Sequence, residues 1–375
     1  MNVTTRRAPL PAPEELGPAR SGAAERSPAG HGTRRRGACM RKRRGSDRPT
    51  LADVAAAAGV SAITASRYFN DAAQVSPERR ARIAAAVEAL GYVPNMMAGG
   101  LASAQSRVVA MVVPNISGPI FAGTMQALSD GLARENFQLL LASSYFSQDN
   151  EERAVRAFLG WSPAALVLTS RFHSAGTEAM LERLAQPVVE TWDLDPTRRP
   201  LQVGFSHHQV GRDAATYLAD RGYERIAFVH NVVPDMSARH RCAGYAEVMT
   251  ERGLKAVDYQ PTAATPMDGG ALALQAFTAK GTRRRADALF FANDNLAFGA
   301  VLAAQRLGVR VPQDIALFGF GDYAMADKLL PSLSTIRPPA QAIGEVAARH
   351  ILQLVGGGPE ARAAVPHATE LAREL

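Results

Sequence analysis

The chain has 375 residues, room for more than one domain with its own core. Hydrophobic residues are 47% and charged residues 21%, the proportions of a folded globular protein. No apolar run reaches the length of a membrane span, so no membrane partner is expected. The net charge of +7 is unevenly placed: residues 1–49 hold twelve Lys/Arg against four Asp/Glu, a net of +8, and the remainder carries −1. A basic block ahead of a near-neutral body fits a polyanionic partner at that end, or a solvated tail without one. The two cysteines, Cys39 and Cys242, form neither a metal pattern nor a disulfide framework. With no signal-peptide pattern at the N-terminus, the expected location is the cytoplasm.

Residues 1–48 are rich in Pro, Gly, Ala, Ser and Arg and read as a disordered basic extension. Met40 opens the compact basic run "MRKRRGSDRPT" and is the expected translation start. Residues 49–92 read as a small helical domain. Thr50 with Asp53 is a capping-box pattern, and Leu51, Val54, Ala55 and Ala58 form one apolar stripe. Gly59 supplies the turn. Ser61 caps a second helix to about Phe69, whose Ala65 and Phe69 face inward while Ala62, Ile63, Ser66 and Arg67 project outward. Ser76 and Pro77 start a third helix with the stripe Ile83, Val87 and Leu90, and Gly91 ends it. Two close-crossing alanine-rich helices with a glycine turn form a helix-turn-helix, an arrangement that binds duplex DNA in many proteins and binds none in others.

From residue 107 the pattern alternates. "RVVAMVV", "FQLLLAS", "ALVLTS", "PVVETW", "VGFS", "IAFVH", "ALFFAND" and "IALFGFG" are short continuous apolar runs, mostly separated by helical stretches. Such strands belong to parallel sheets covered on both faces. About ten are expected, too many for one comfortable sheet, so the α/β region 107–375 should form two Rossmann-like lobes. Crossovers are expected near Gly204–Phe205 and around Pro331–Pro338. Ligands in such sheets bind beyond the carboxyl ends of the strands, which selects the loops at 115–121, 170–173, 192–195, 230–241, 293–295 and 321–323.

The stretches "TLADVAAAAGVS", "ASRYFN" and "GYVPNMMAGGLASAQS" closely resemble the DNA-binding head of the lactose-repressor (LacI) family of bacterial transcription regulators, and the likeness continues through the chain from Thr50. The resemblance implies a helix-turn-helix head, a hinge helix within residues 93–106, and a periplasmic-binding-protein-like core that binds an effector and dimerises. It places the second helix in the major groove of an operator, with Arg67 on a base and Ala62 and Ile63 at the operator-discriminating positions. Thr50, Ser61, Thr64 and Asn70 fall where phosphate or capping groups sit, with Ser66 on the outward face. Asn95 to Ala102 matches the hinge helix, and Leu101 the wedge inserted into the minor groove. Gly99 and Gly100 depart from that pattern, each costing a helix about 1 kcal/mol against alanine.

In the core the resemblance marks Arg241 as the effector arginine, with Arg239 close before it. It puts Asp193, Asn293 and Asp322 at or beside polar contacts, Ile120 and Phe121 on the pocket wall, and Gly321 where the family often has an acid. Arg171 joins this set from the loop at 170–173. Arginines at a helix start oppose the helix dipole, which favours an anion site over a solvated face. Asp193 also reads as a turn residue, and Trp192 as core or as a ligand stack. His173, His207 and His208 read as surface or lobe-lining residues, with no metal and no cofactor expected. "LTSRFHS", "PVVETWDLD", "VGFSHHQVGRDAA" and "FANDNLAFGA" look most like the gluconate-operon repressor branch, so the implied effector is gluconate or a related sugar acid, bound by a homodimeric repressor. A transport-type sugar-binding protein would share the core but needs a signal peptide and no head. A sugar-acid enzyme would need a nucleophile, base and orienting group, and the chain shows no Walker loop, G-x-S-x-G, H-E-x-x-H or G-x-G-x-x-G after a strand.

Overall fold

The computed structural model describes residues 48–94, 106–195, 197–198, 200–231, 235–283 and 285–375. The expected extension, the Met40 start, Asn95, Leu101 and the hinge helix lie outside these residues. The chain divides into two compact units, Met1–Val93 and Pro94–Leu375.

In the first unit, α1 (Leu51–Ala58) starts at a capping box closed by Thr50 and Asp53 and stops at Gly59, whose φ of 61° is the left-handed conformation that glycine adopts without strain. Helix α2 (Ala62–Asn70) is capped by Ser61, whose Oγ accepts from the Thr64 amide at 3.2 Å. Helix α3 (Pro77–Leu90) has Pro77 in its first turn. Ser76 occupies the capping position but makes no side-chain capping bond, so proline and not serine defines this start. The core is Val54, Ala58, Val75, Ile83 and Ala86, with Tyr68, Val87, Leu90 and Tyr92 packed on it.

The second unit holds two parallel sheets. Strands β1 (Val108–Val113), β2 (Gln138–Ser143), β3 (Ala165–Leu168), β4 (Val188–Thr191) and β5 (Leu201–Gly204) build the first. The helices α4 (Pro119–Ala133), α5 (Gln148–Leu159) and α6 (Ala175–Glu182) connect them. Helix α7 (His207–Asp220) then leads into the second sheet: β6 (Ile226–Val229), β7 (Val257–Tyr259), β8 (Ala288–Phe291), β9 (Ala316–Phe320) and β10 (Ser334–Ile336), joined by α8 (Met236–Glu251), α9 (Pro266–Thr278) and α10 (Asp294–Leu307). Helix α11 (Ala340–Gly356) returns to pack on α4, and after α12 (Pro359–Ala363) strand β11 (Ala368–Glu370) joins the first sheet. The strand orders are β11-β5-β4-β3-β1-β2 and β10-β9-β8-β6-β7.

The chain passes between lobes just after Gly204 and just after Ile336, in the regions expected. A further connection follows β11, where Glu374 bridges Arg337 in antiparallel fashion and Arg373 Nη2 reaches Asp213 Oδ2 at 2.6 Å. Helices α7 and α8 approach through Gly211 and Gly244: a Cβ on Gly211 would sit 1.9 Å from the Arg241 carbonyl oxygen, and one on Gly244 1.9 Å from that of His208. That contact sets His207 and Arg241 side by side.

A reading helix and an arginine-based cavity

On α2 the side away from the core exposes Ala62, Ile63 and Arg67, and Ile63 is 67% exposed. A large apolar side chain left open on a short helix, beside an arginine, suits a groove that offers thymine methyls and guanine acceptors. Ala65 on the opposite side is fully buried. Thr50 Oγ1 donates to Asp53 Oδ2 at 2.7 Å, and Ser61 Oγ and Thr64 Oγ1 share a hydrogen bond at 2.9 Å, so these three side chains hold the helix starts in place. The two bonds from Thr50 keep the Asp53 carboxyl below its ordinary pKa. Ser66 is half-buried, and Asn70 is the last residue of α2.

The second unit contains a cavity of about 750 Å³ at the carboxyl ends of the strands. Five of the eight core residues singled out from sequence line it: Ile120, Phe121, Arg239, Arg241 and Asn293. Arg241 is 3% exposed. Its Nη2 donates to the Ala292 carbonyl at 3.0 Å, its Nη1 lies 2.9 Å from His207 Nδ1, and its guanidinium stacks 4.4 Å from the Phe320 ring centroid. Burial, and then the charge of Arg241, push the His207 pKa well below its ordinary value. His207 is therefore neutral and accepts the arginine proton at Nδ1. Asp235 Oδ2 is 3.5 Å from Nη2. The Nε–H of Arg241 is buried and has no partner among the described residues. Asn293 caps α10, its Oδ1 accepting from Leu296 N at 3.2 Å, which leaves its amide NH₂ as the group it can offer. Arg239 is exposed.

The aromatic wall is built from Phe121, Trp192 and Phe320. Trp192 is 3% exposed, has φ 77°, packs 5.0 Å from Phe121 and donates from Nε1 to Thr124 Oγ1 at 3.1 Å. It is a core residue on one side and cavity wall on the other.

Arg171, Asp193 and Asp322 do not line the cavity. Arg171 donates from Nε to Asp193 Oδ2 at 2.9 Å and from Nη1 to Asp195 Oδ2 at 3.0 Å, and its Nη2 lies 3.2 Å from His240 Nδ1. Burial raises the Asp193 pKa while Arg171 draws it back down. Asp322 pairs with Arg337, which also donates to Glu374 Oε2 at 2.7 Å. These three side chains satisfy protein partners at the loop ends.

The loop after β2 was passed over in the sequence, yet Ser144 through Asp149 and Glu151 all contribute to the cavity. The rule that selects loops at strand carboxyl ends applies equally to "FQLLLAS" and identifies this loop. Tyr145 and Phe146 hold φ of 53° and 60°, a left-handed pair that bulky residues rarely adopt. The histidines divide three ways. His208 is half-exposed and pairs with Glu247 at 3.0 Å. His207 is buried in the cavity wall. The His173 side chain is neither surface nor lobe-lining but fully buried between Glu151 Oε1 at 2.6 Å and Glu190 Oε1 at 3.2 Å, because each ring nitrogen finds a carboxylate. Among the described residues no His, Cys, Asp and Glu cluster is suited to a metal ion, and no helix is long and apolar enough to cross a membrane.

The cavity thus combines a buried cation, an amide, hydroxyls and aromatic walls, the equipment for a small polar anion. Comparison with known proteins agrees with both halves of this description. Residues 50–95 match the family described as bacterial regulatory proteins, lacI family, and residues 215–373 match a periplasmic binding protein-like domain. The HTH-type transcriptional regulator GntR of Pseudomonas aeruginosa is 36% identical over 315 residues, covering 83% of this chain and 90% of that protein. A LacI-family transcriptional regulator from Silicibacter pomeroyi superposes with a TM-score of 0.79 at 30% identity, covering 87% of this chain and 97% of that one. The lac repressor dimer, solved on its operator with an anti-inducer, superposes with a TM-score of 0.75 at 25% identity over 87% of this chain and 97% of its own. An exposed reading helix, two parallel-sheet lobes around a polar cavity and these likenesses place the chain in the LacI family of bacterial regulatory proteins, as a DNA-binding transcriptional regulator.

Proposed function

We propose that this regulator is a cytoplasmic repressor that grips an operator as a homodimer and releases it on binding a sugar acid of the gluconate type. The observation that carries the effector assignment is the Arg241 guanidinium: a buried cation that lines the cavity and whose Nε–H has no partner among the described residues. A buried unpaired donor costs about 1–3 kcal/mol, which a carboxylate ligand removes. The resemblance to the gluconate-operon branch supplies the rest of the ligand, a chain of hydroxyls suited to Asn293 and the serines of the wall. The cavity serves binding and not catalysis in this reading, in keeping with relatives that are transcriptional regulators.

On the DNA side, Arg67 reads a base while Ala62 and Ile63 meet thymine methyls or tolerate a base. Thr50, Ser61 and Thr64 fix the helix starts, and Ser66 completes the contact face. Arg171, Asp193 and Asp322 support the effector site from behind. A ligand held between the lobes changes their relative pose and so the hinge. Two heads on two half-sites require two chains. Met267, Leu272, Leu307 and Leu330 are large exposed apolar side chains of the second lobe that a dimer would cover.

Calorimetric titration with gluconate tests the effector half. Saturable binding is expected, reduced about 100-fold or more in Arg241→Ala, as for a lost charge-assisted hydrogen bond to a buried anion. No heat at millimolar gluconate removes this ligand. For the DNA half, Arg67→Ala is expected to lose about 1–3 kcal/mol of discrimination between operator and control duplex in a gel shift. Unchanged discrimination removes Arg67 from base reading.

A further inference from the structure

Among the other charged residues that line the cavity, one on the first lobe has a setting as specific as that of Arg241. Glu151 lies one turn into α5 and lines the cavity. Its Oε1 is taken by His173 Nδ1 at 2.6 Å, and among the described residues no hydrogen bond engages its Oε2. The His173 imidazole is 0% exposed, with Glu190 Oε1 at 3.2 Å from its other nitrogen. An imidazole that meets a carboxylate at both nitrogens donates from both and is the cation. Burial alone would lower its pKa, but the two carboxylates outweigh that and lift it to about 9. Glu190 is separately neutralised: Arg198 Nη2 donates to its Oε1 at 2.6 Å, and Gln202 Nε2 to its Oε2 at 2.6 Å. The His173 cation is thus left to pair with Glu151, one carboxylate oxygen fixed and the other placed to accept from a ligand.

We infer that Glu151 is a specificity-determining residue, accepting hydroxyl hydrogen bonds from the polyol end of the effector and rejecting any ligand with a second anionic group there. This rests on reading the cavity as a sugar-acid site. Arg241 on the second lobe takes the single carboxylate, and Glu151 on the first takes hydroxyls. A hydroxyl donates to a carboxylate, whereas a second carboxylate or a phosphate at that position meets like charge in a largely desolvated wall. The effector class is therefore narrower than sugar acids in general: polyhydroxy monocarboxylates, to the exclusion of sugar dicarboxylates and of phosphorylated sugar acids. His173 is the positioning residue, holding one Glu151 oxygen so that the other keeps a defined direction.

The test is calorimetric titration of the full chain with gluconate, glucarate and 6-phosphogluconate. Wild type is expected to bind gluconate at least about 30-fold tighter than either ligand with a second anionic group, the scale of like-charge repulsion at a partly buried site. Glu151→Gln is expected to weaken gluconate about tenfold and to bring glucarate and 6-phosphogluconate within a few-fold of it. Glu151→Asp keeps the charge, so it should weaken gluconate while preserving the rejection; it guards against a Gln variant that fails to fold beside the buried His173. Equal binding of gluconate, glucarate and 6-phosphogluconate by wild type overturns the inference and leaves the sugar-acid reading intact. A uniform loss for all three ligands in Glu151→Gln reduces Glu151 to a structural role and also overturns it. Binding of none of the three by wild type overturns the sugar-acid reading itself, and this inference with it.

Discussion

The two lobes hold their buried charge in opposite ways. In the second, Arg241 is surrounded by neutral acceptors and an aromatic face: the Ala292 carbonyl, the His207 ring and Phe320, with Asp235 at a distant 3.5 Å. Its charge is desolvated and only loosely paired, and its Nε–H has no partner among the described residues. In the first lobe, Glu151, His173, Glu190 and Arg198 alternate in sign and close on one another, and Arg171 does the same with Asp193 and Asp195. The difference separates a cation held ready for a ligand from a network that shapes a wall and leaves only the second Glu151 oxygen to the ligand. A buried ion network built for shape is damaged most by losing one member, whereas a ligand-seeking cation can be removed with modest effect on the fold.

That contrast can be broken most severely at Glu190. Glu190→Ala leaves the His173 and Arg198 cations facing each other in a buried site and is expected to cost about 3–5 kcal/mol of stability, read from urea denaturation. Arg241→Gln is expected to change the same midpoint little while abolishing effector binding. A large loss of stability in Arg241→Gln, or a small one in Glu190→Ala, would erase the distinction between the lobes.

The first-lobe network also carries a pH signature. His173 rises from an ordinary 6.5 to about 9 on folding, with burial opposing and the two carboxylates driving the shift. A raised folded pKa stabilises fully below the unfolded value and fades as pH climbs through the folded one. Stability is therefore expected to fall by about 1–3 kcal/mol between pH 7 and pH 9.5. His173→Gln should flatten that slope, and a wild-type curve level over this range contradicts the protonated imidazole.

The smallest effect is spectroscopic. The chain has two tryptophans, Trp161 at 53% exposure and Trp192 in the cavity wall. In Trp161→Phe, saturating gluconate is expected to alter the emission of the remaining Trp192. An emission that stays constant while calorimetry shows binding would place the ligand away from this wall.

What could be read from the sequence follows the same physics. The head is local: Thr50 with Asp53, Gly59 and Ser61 determine caps and turns within a few residues, and the apolar stripes of α1 and α3 need no distant partner to be recognised. The eight apolar runs all became strands. The strands that went unread, β7, β10 and β11, are three-residue strands at sheet edges, with patterns such as "VDY" and "ATE" that no continuous burial imposes. In the site, residue type and loop position were legible, but the partners of each charge were not. Asp193 and Asp322 sit at the right strand ends, yet Arg171 and Arg337, 22 and 15 residues away in sequence, claim them. Glu151 was missed because its role depends on His173, also 22 residues distant, arriving from another strand end.

The central claim is that the buried Arg241 cation of the cavity wall couples a sugar acid to operator release. Fluorescence anisotropy of a labelled fragment of the protein's own promoter, bound by the full chain and titrated with gluconate, tests it most directly. The expected result is release by wild type over the range in which gluconate saturates the cavity, with Arg241→Gln binding the fragment equally well but holding it at every gluconate concentration. Release that persists in Arg241→Gln, or gluconate binding by wild type without release, would contradict the account.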